Sequence, residues 1–233
     1  MNVAIILAAG RGTRLGADIP KQFVPVLGKP VLAWTLEAFQ RSPEIDAIQV
    51  VCQPEYRGRI IGIVRDSRID KRRWITPGGD SCPESIRSAV LALEGSLGEG
   101  DIALIHMAVS PLVSGGDIAR AVAVCKEKGC CFTMHPVNVC LARRSGEGWS
   151  EADAPKEDFV ELNVPWAFRY GDLVALYRHR EALSPGDYTL SLWLAEGRRA
   201  WYAPGDDRGR LKITTAHDLA VFEALLLRER GRL

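Results

Sequence analysis

The chain has 233 residues, 47% hydrophobic and 25% charged, with 30 basic against 29 acidic side chains and a formal net charge of +1. A chain of that size and balance is expected to fold as one globular domain over residues 1–233, and so neutral a surface gives no general attraction for nucleic acid or an anionic membrane. No apolar run approaches the ~18 residues of a membrane span, and the short N-terminal run lacks the basic flank of a secretory leader.

Residues 3–7 read as a buried strand that breaks into Ala8-Ala9-Gly10-Arg11-Gly12-Thr13-Arg14-Leu15-Gly16, with Pro20-Lys21-Gln22 beyond. Small residues let backbone approach a ligand closely, and glycines allow the positive φ at which N–H groups converge on an anion. Arg11, Arg14 and Lys21 add three cations, a combination that suits a triphosphate. The alternative is a plain strand-to-helix turn with solvated basic residues. The spacing is not the dinucleotide fingerprint, because position 15 is Leu, and no Gly-Lys-Ser/Thr closes a Walker loop.

Val31 to Gln40 predicts a helix with Leu32, Leu36 and Phe39 on one face. Strands follow at 48–52 and 74–76 around a helix from Tyr56 to Val64. Gly78-Gly79 then leads to a helix over Ser81–Leu93, where Asp80 or Ser81 can act as N-cap. A buried strand over Asp101–His106, a helix over Gly115–Glu127 and a strand over Cys130–Met134 complete the alternation. Repeated βα units specify a mostly parallel sheet with helices on both faces, a Rossmann-like α/β fold.

The pattern breaks between 137 and 168, where Val139–Arg143 and Phe159–Val164 flank Gly146-Glu147-Gly148; this predicts a projecting β-hairpin arm. Helices at 171–180 and 188–196, a strand at Arg199–Tyr202 and a helix over Ala216–Leu227 close the chain. The six cysteines, at 52, 82, 125, 130, 131 and 140, show no Cys-x-x-Cys pair and no metal-ligand spacing. They read as reduced thiols of a cytoplasmic protein. His106 ends a buried strand and reads as a packed histidine rather than a base. Asp218, in the first turn of the last helix, reads as an acid that suits the helix dipole.

The segments Ala8-Ala9-Gly10-x-Gly12-x-Arg14-Leu15, Pro20-Lys21-Gln22, Leu27-Gly28-Lys29-Pro30, Gly78-Gly79-Asp80, Ser85-Ile86 and Leu211-Lys212-Ile213-Thr214 occur in this order. Together they resemble the cytidylyltransferases that make CDP-alcohols, the 2-C-methyl-D-erythritol 4-phosphate and ribitol 5-phosphate enzymes. The resemblance implies a nucleotide-diphospho-sugar transferase type of α/β fold and transfer of CMP from CTP to a polyol phosphate, with pyrophosphate released. It implies Mg²⁺ as cofactor, a homodimer formed through the arm, and no nucleic-acid or membrane partner. By the same resemblance Arg14, Lys21 and Lys212 are the catalytic cations. Ala8, Ala9, Gly10, Arg11 and Gly12 would hold the triphosphate; Gly79, Asp80, Ser85 and Ala108 would complete the nucleotide site. Lys156 and Thr189 would contact the acceptor, Lys156 standing for an arm arginine that reaches across the dimer. No residue is assigned as a metal ligand.

The sequence departs from the family's pattern on the acceptor side. His106-Met107-Ala108-Val109-Ser110-Pro111 has Met107 where the family has an acid and Ser110 where it has arginine. Cys82 stands for an arginine, and Leu190 and Ser191 for two acids. Val164-Pro165-Trp166 follows the arm. Three readings result: an enzyme for 2-C-methyl-D-erythritol 4-phosphate, one for another acceptor such as ribitol 5-phosphate or a phosphonate, and a nucleotide-binding protein without turnover.

Overall fold

The computed structural model describes residues 1–10, 19–180 and 182–231. Strand β1 (Asn2–Leu7) is followed by a 3₁₀ turn at Lys21–Phe23 and a small hairpin of β2 (Pro25–Val26) and β3 (Lys29–Pro30). Leu27 and Gly28 take positive φ, 47° and 83°, the conformation a two-residue hairpin turn requires. Then α1 (Val31–Arg41), β4 (Ala47–Cys52), α2 (Arg57–Asp66), β5 (Arg72–Pro77), α3 (Cys82–Leu91) and β6 (Ile102–Met107) alternate as the periodicity predicts. The chain continues through α4 (Gly115–Lys128), β7 (Cys130–Pro136), β8 (Leu141–Arg143), β9 (Ala152–Ala154), β10 (Val160–Arg169) and α5 (Tyr170–Arg178). Helix α6 (Thr189–Ala195), β11 (Tyr202–Pro204) and α7 (Ala216–Glu229) follow.

Seven strands form one sheet in the order β11-β7-β10-β6-β1-β4-β5. The pairs β6·β1, β1·β4, β4·β5 and β7·β11 are parallel; β10 runs antiparallel to both β6 and β7. Along β1, Ala4 and Ile6 face one layer while Val3, Ile5 and Leu7 face the other. Helices α1, α2 and α4 supply Leu32, Leu36, Ile60 and Ile118 to the first layer. Ile86 and Val90 of α3 and Leu173 and Tyr177 of α5 fill the second. Burial on both faces explains why 3–7 and 102–107 read as continuous apolar runs rather than alternating ones. Helix α7 lies to one side, where Phe222 and Leu226 join Val26, Val31, Val109 and Ile213 in a third, smaller cluster.

The stretch 137–168 corrects one expectation. The flanks Val139–Arg143 and Phe159–Val164 do not pair with each other. Leu141–Arg143 pairs with Ala152–Ala154, and Val160–Asn163 pairs with Thr133–Pro136 of β7. The reason is hydrogen-bond satisfaction: an antiparallel strand entering the slot between β6 and β7 completes both ladders, and its first half continues along β7. A register shift between Asn163 and Trp166, at the cis Val164–Pro165 peptide, separates the two halves. The last strand also lies later than expected, at Tyr202–Pro204.

From β1 the chain moves through α1 and α2 to β4 and β5, then returns through α3 to β6 on the other side of β1. The winding therefore reverses between β1 and β6. The crevice beyond the carboxyl ends of such strands is where sheets of this kind take ligands.

Candidate active site

Four loops leave that edge: Ala8–Gly10 from β1, Gln53 onward from β4, Gly78–Asp80 from β5 and Ala108–Ser110 from β6. The first is held from behind by Gln22, which is buried. Its side-chain Nε2 donates to the carbonyl oxygens of Ala8 at 2.7 Å and Gly10 at 2.9 Å. With those acceptors consumed and the Ala8 N–H donated to the Val51 carbonyl at 2.7 Å, the groups the loop can offer an anion are its N–H groups beyond Ala8. Pro20 and Phe23 are buried on either side, and the 3₁₀ turn is closed by the Val24 N–H donating to the Lys21 carbonyl at 3.3 Å. Lys21 is thus carried, half-buried, on a backbone fixed from both directions. Arg11, Gly12 and Arg14 lie outside the described residues.

The loop after β5 is built by close approach. A Cβ on Gly78 would overlap the Ala9 Cβ and come within 3.1 Å of the Ser85 hydroxyl, so glycine is required there. The buried Ser85 accepts the Gly79 N–H at 3.1 Å and donates to the Gly79 carbonyl at 3.4 Å. Its hydroxyl shapes the loop. Asp80 is exposed. Ser81 caps α3 in a capping box with Glu84, which identifies the N-cap that the sequence left open.

At the end of β6, the Ala108 N–H donates to the Leu7 carbonyl at 3.0 Å and its carbonyl accepts the Thr35 hydroxyl at 2.8 Å. Ala108 itself is buried, so its backbone ties β1, β6 and α1 together. His106 is fully buried against Phe39, with ring centroids 4.9 Å apart, and its Nε2–H donates to the Ser110 carbonyl at 2.9 Å. Burial lowers this imidazole to about 4, which keeps it neutral and suits a structural role. Met107 is half-buried between the second and third clusters.

Lys212 is exposed, next to Ile213, whose N–H donates to the Val109 carbonyl at 2.8 Å. Burial pushes the Cys82 thiol upward, against a downward pull from the Lys212 charge. Lys212 is therefore close enough to the first turn of α3 for its charge to be felt there. Thr189 is fully buried, its hydroxyl 2.8 Å from that of Tyr177, and burial raises the Tyr177 phenol to about 12. Lys156 is exposed in a 3₁₀ turn at the root of the arm.

The described residues offer no all-protein cage for a magnesium ion. Among the described residues no group of three or more His, Cys, Asp or Glu side chains could hold a metal. Met107 offers a thioether, a poor ligand for a hard cation. Asp218 spends one oxygen on the N–H groups of Thr214 and Thr215, both at 2.8 Å, and on the Thr215 hydroxyl at 3.0 Å.

Sequence reasoning missed the structural weight of Gln22, Gln53 and Thr35. A usable signal existed for two of them: Gln53, between Cys52 and Pro54 at a strand exit, and Thr35, between Trp34 and Leu36 on a helix face, are lone polar residues.

No helix among the described residues is long and apolar enough to cross a membrane. The 2-C-methyl-D-erythritol 4-phosphate cytidylyltransferase (IspD) family matches the chain over residues 2–228. A ribitol-5-phosphate cytidylyltransferase of Lacticaseibacillus paracasei is 34% identical over 230 residues, 97% of this chain and 98% of that protein. A 2-C-methyl-D-erythritol 4-phosphate cytidylyltransferase of Geobacter metallireducens is 35% identical over 230 residues, 96% of each. The crystal structure of 4-diphosphocytidyl-2C-methyl-D-erythritol synthase from Anaerococcus prevotii shares the fold, with a TM-score of 0.82 at 22% identity, covering 97% of this chain and 96% of that one. With loops, sheet and sequence in agreement over nearly its whole length, the chain belongs to the 2-C-methyl-D-erythritol 4-phosphate cytidylyltransferase family, a family of α/β nucleotidyltransferases.

Proposed function

We propose that this chain transfers CMP from CTP to the phosphate of a polyol phosphate, with 2-C-methyl-D-erythritol 4-phosphate as the first candidate acceptor. The observation that carries the reading is the pair of loops at the ends of β1 and β5, one with its carbonyls turned into Gln22 and the other in contact with it through Gly78. An acceptor phosphate oxygen bonds to the α-phosphorus while the bond from that phosphorus to the bridging oxygen breaks, and pyrophosphate leaves. The protein's work is to position two anions and to neutralise charge on the phosphoryl oxygens. Lys21 is assigned to the transition state and Arg14 to the triphosphate, with Lys212 as the third cation. Ribitol 5-phosphate is the second acceptor, because the ribitol-5-phosphate relative covers 97% of the chain at 34% identity, against 96% at 35% for the methylerythritol-phosphate relative.

Magnesium enters this proposal as an ion carried by the triphosphate and water, since the described side chains offer it no cage. The working form proposed is a cytoplasmic homodimer joined through the arm. Val139, Trp149, Phe159 and Val160 expose apolar surface on and beside that arm, and all six cysteines are free thiols. Pyrophosphate release from CTP, measured with each acceptor separately, tests the function. Release with the first supports the main reading, and release with ribitol 5-phosphate alone supports the second. CTP binding without turnover on either overturns catalysis. Lys21→Ala is expected to lower kcat by about 10²–10³; an unchanged kcat removes Lys21 from the mechanism.

A further inference from the structure

Three consecutive residues at the end of β4 hold both nucleotide loops. The Val51 carbonyl accepts the Ala8 N–H at 2.7 Å, and the Cys52 carbonyl accepts the Gly78 N–H at 2.9 Å. The next residue, Gln53, turns its side chain between the loops: Nε2 donates to the Ala9 carbonyl at 3.4 Å and to the Gly79 carbonyl at 3.3 Å. The two hydrogens of one amide nitrogen therefore serve two loops that are 70 residues apart in sequence. The loops also touch directly, since only the missing Cβ of Gly78 lets it lie against Ala9.

We propose that Gln53 is a positioning residue that couples the β1 loop to the β5 loop, so that the triphosphate half and the base half of the nucleotide are bound as one unit. The inference rests on the reading of these loops as the CTP site. Both bonds are long for N–H···O contacts, so each is weak in the free protein, and both shorten together as the loops close on a ligand. A side chain with no donor at this position leaves each loop standing on its own strand but removes the shared tie. Binding one half of the nucleotide then no longer orders the site for the other half.

The test compares the wild-type protein with Gln53→Leu and Gln53→Glu. Leucine removes the donors, and glutamate keeps the shape but can only accept, facing two carbonyl oxygens. Affinities for CTP, inorganic tripolyphosphate and cytidine are measured by calorimetry, and amide exchange is followed over residues 8–10 and 78–80. Both variants are expected to bind CTP about tenfold more weakly while tripolyphosphate and cytidine change less than about twofold. Exchange should quicken in both loops together. Equal weakening of CTP and either fragment makes Gln53 a plain wall of that loop and overturns the coupling, as does an unchanged CTP affinity. If the wild-type protein binds no CTP, the nucleotide reading fails by itself. Exchange then decides on Gln53: quickening in both loops supports the tie, and quickening in one or neither overturns it.

Discussion

The loops beyond β1 and β5 are bonded to each other and to β4 through Gln22, Gln53, Ser85 and the bare Cα of Gly78, whereas the region at the end of β6 and its neighbour β10, though tied through Ala108 and Val109, leaves buried polar atoms unpaired. In that second region His106 Nδ1, Ser110 Oγ and Trp166 Nε1 are buried without a hydrogen-bond partner among the described residues. Met107, Trp166 and Leu190 pack there as half-buried apolar groups. The contrast separates what a fold must hold in common from what it can vary. Side chains tied into the backbone fix the first region, whereas the apolar side chains of the second can be exchanged without breaking a ladder. Two relatives named for different acceptors match this chain at 34% and 35% identity.

The sharpest way to break the comparison is with acid. His106 supports the turn after β6 through its bond to the Ser110 carbonyl, and burial lowers its imidazole from the usual 6.5 to about 4. An unfolded chain takes up the proton between those values while the folded one does not. Stability is therefore complete above pH 6.5, falls as pH drops through the window, and is no longer changed by this group below about 4. The whole window is worth roughly 3 kcal/mol, of which roughly 2 kcal/mol is lost by pH 5. Guanidinium unfolding at pH 7 and pH 5 should show that loss in the wild-type protein and a much smaller one in His106→Gln. Equal losses would sink the assignment. Amide exchange at pH 5 should also quicken beyond β6 before it does at Ala8–Gly10 and Gly78–Asp80.

The opposite half can be broken by a methyl group. Gly78→Ala drives a Cβ into Ala9, an overpacking cost of about 1–3 kcal/mol that falls on the loop contact and not on the core. CTP affinity should drop about thirtyfold. Adding Ala9→Gly in the same chain removes the opposing atom and should recover most of the loss, since the Ser85 hydroxyl can swing aside from its 3.1 Å approach. Failure of the double variant to recover would show that Gly78 is needed for backbone conformation and not for close approach.

Much of the sheet was legible because buried parallel strands leave a plain mark: Val3–Leu7, Ile48–Cys52 and Ile102–His106 are apolar on both faces and bounded by turn residues. The hairpin itself is present, but the pairing of its flanks was not legible, because β10 is defined by its neighbours. Nothing within Phe159–Val164 says that Pro136 and His135, and not Val139–Arg143, lie across from it. The phosphate loop was legible as chemistry, since glycines and cations cluster locally. Gln53 was not, because its partners Ala9 and Gly79 lie 44 and 26 residues away and meet it only once β1, β4 and β5 are side by side. Thr189 shows the converse. The resemblance implied a group facing the acceptor, whereas Thr189 is fully buried with its hydroxyl 2.8 Å from that of Tyr177.

The smallest expected effect probes how Lys212 is held. Its neighbours are fixed at two places: Ile213 bonds to the Val109 carbonyl, and Asp218 of α7 reaches back to the N–H groups of Thr214 and Thr215. Burial raises the Asp218 carboxyl, but the hydrogen bonds from Thr215 and Thr214 outweigh it and leave the group below its ordinary 3.8. This contribution is present above that value and is lost as pH falls below it. Asp218→Ala should cost about 1 kcal/mol in unfolding free energy, the usual worth of a helix cap. Thr215→Ala removes the cap hydroxyl but leaves the carboxylate and its bond to the Thr214 N–H. It should cost as much stability while sparing Lys212. If Lys212 depends on the Asp218 tie, kcat falls a few-fold in Asp218→Ala and stays near wild type in Thr215→Ala. Equal kcat values in the two variants would mean that the Ile213 bond alone carries the lysine, and its segment would then rest on the end of β6 and not on α7.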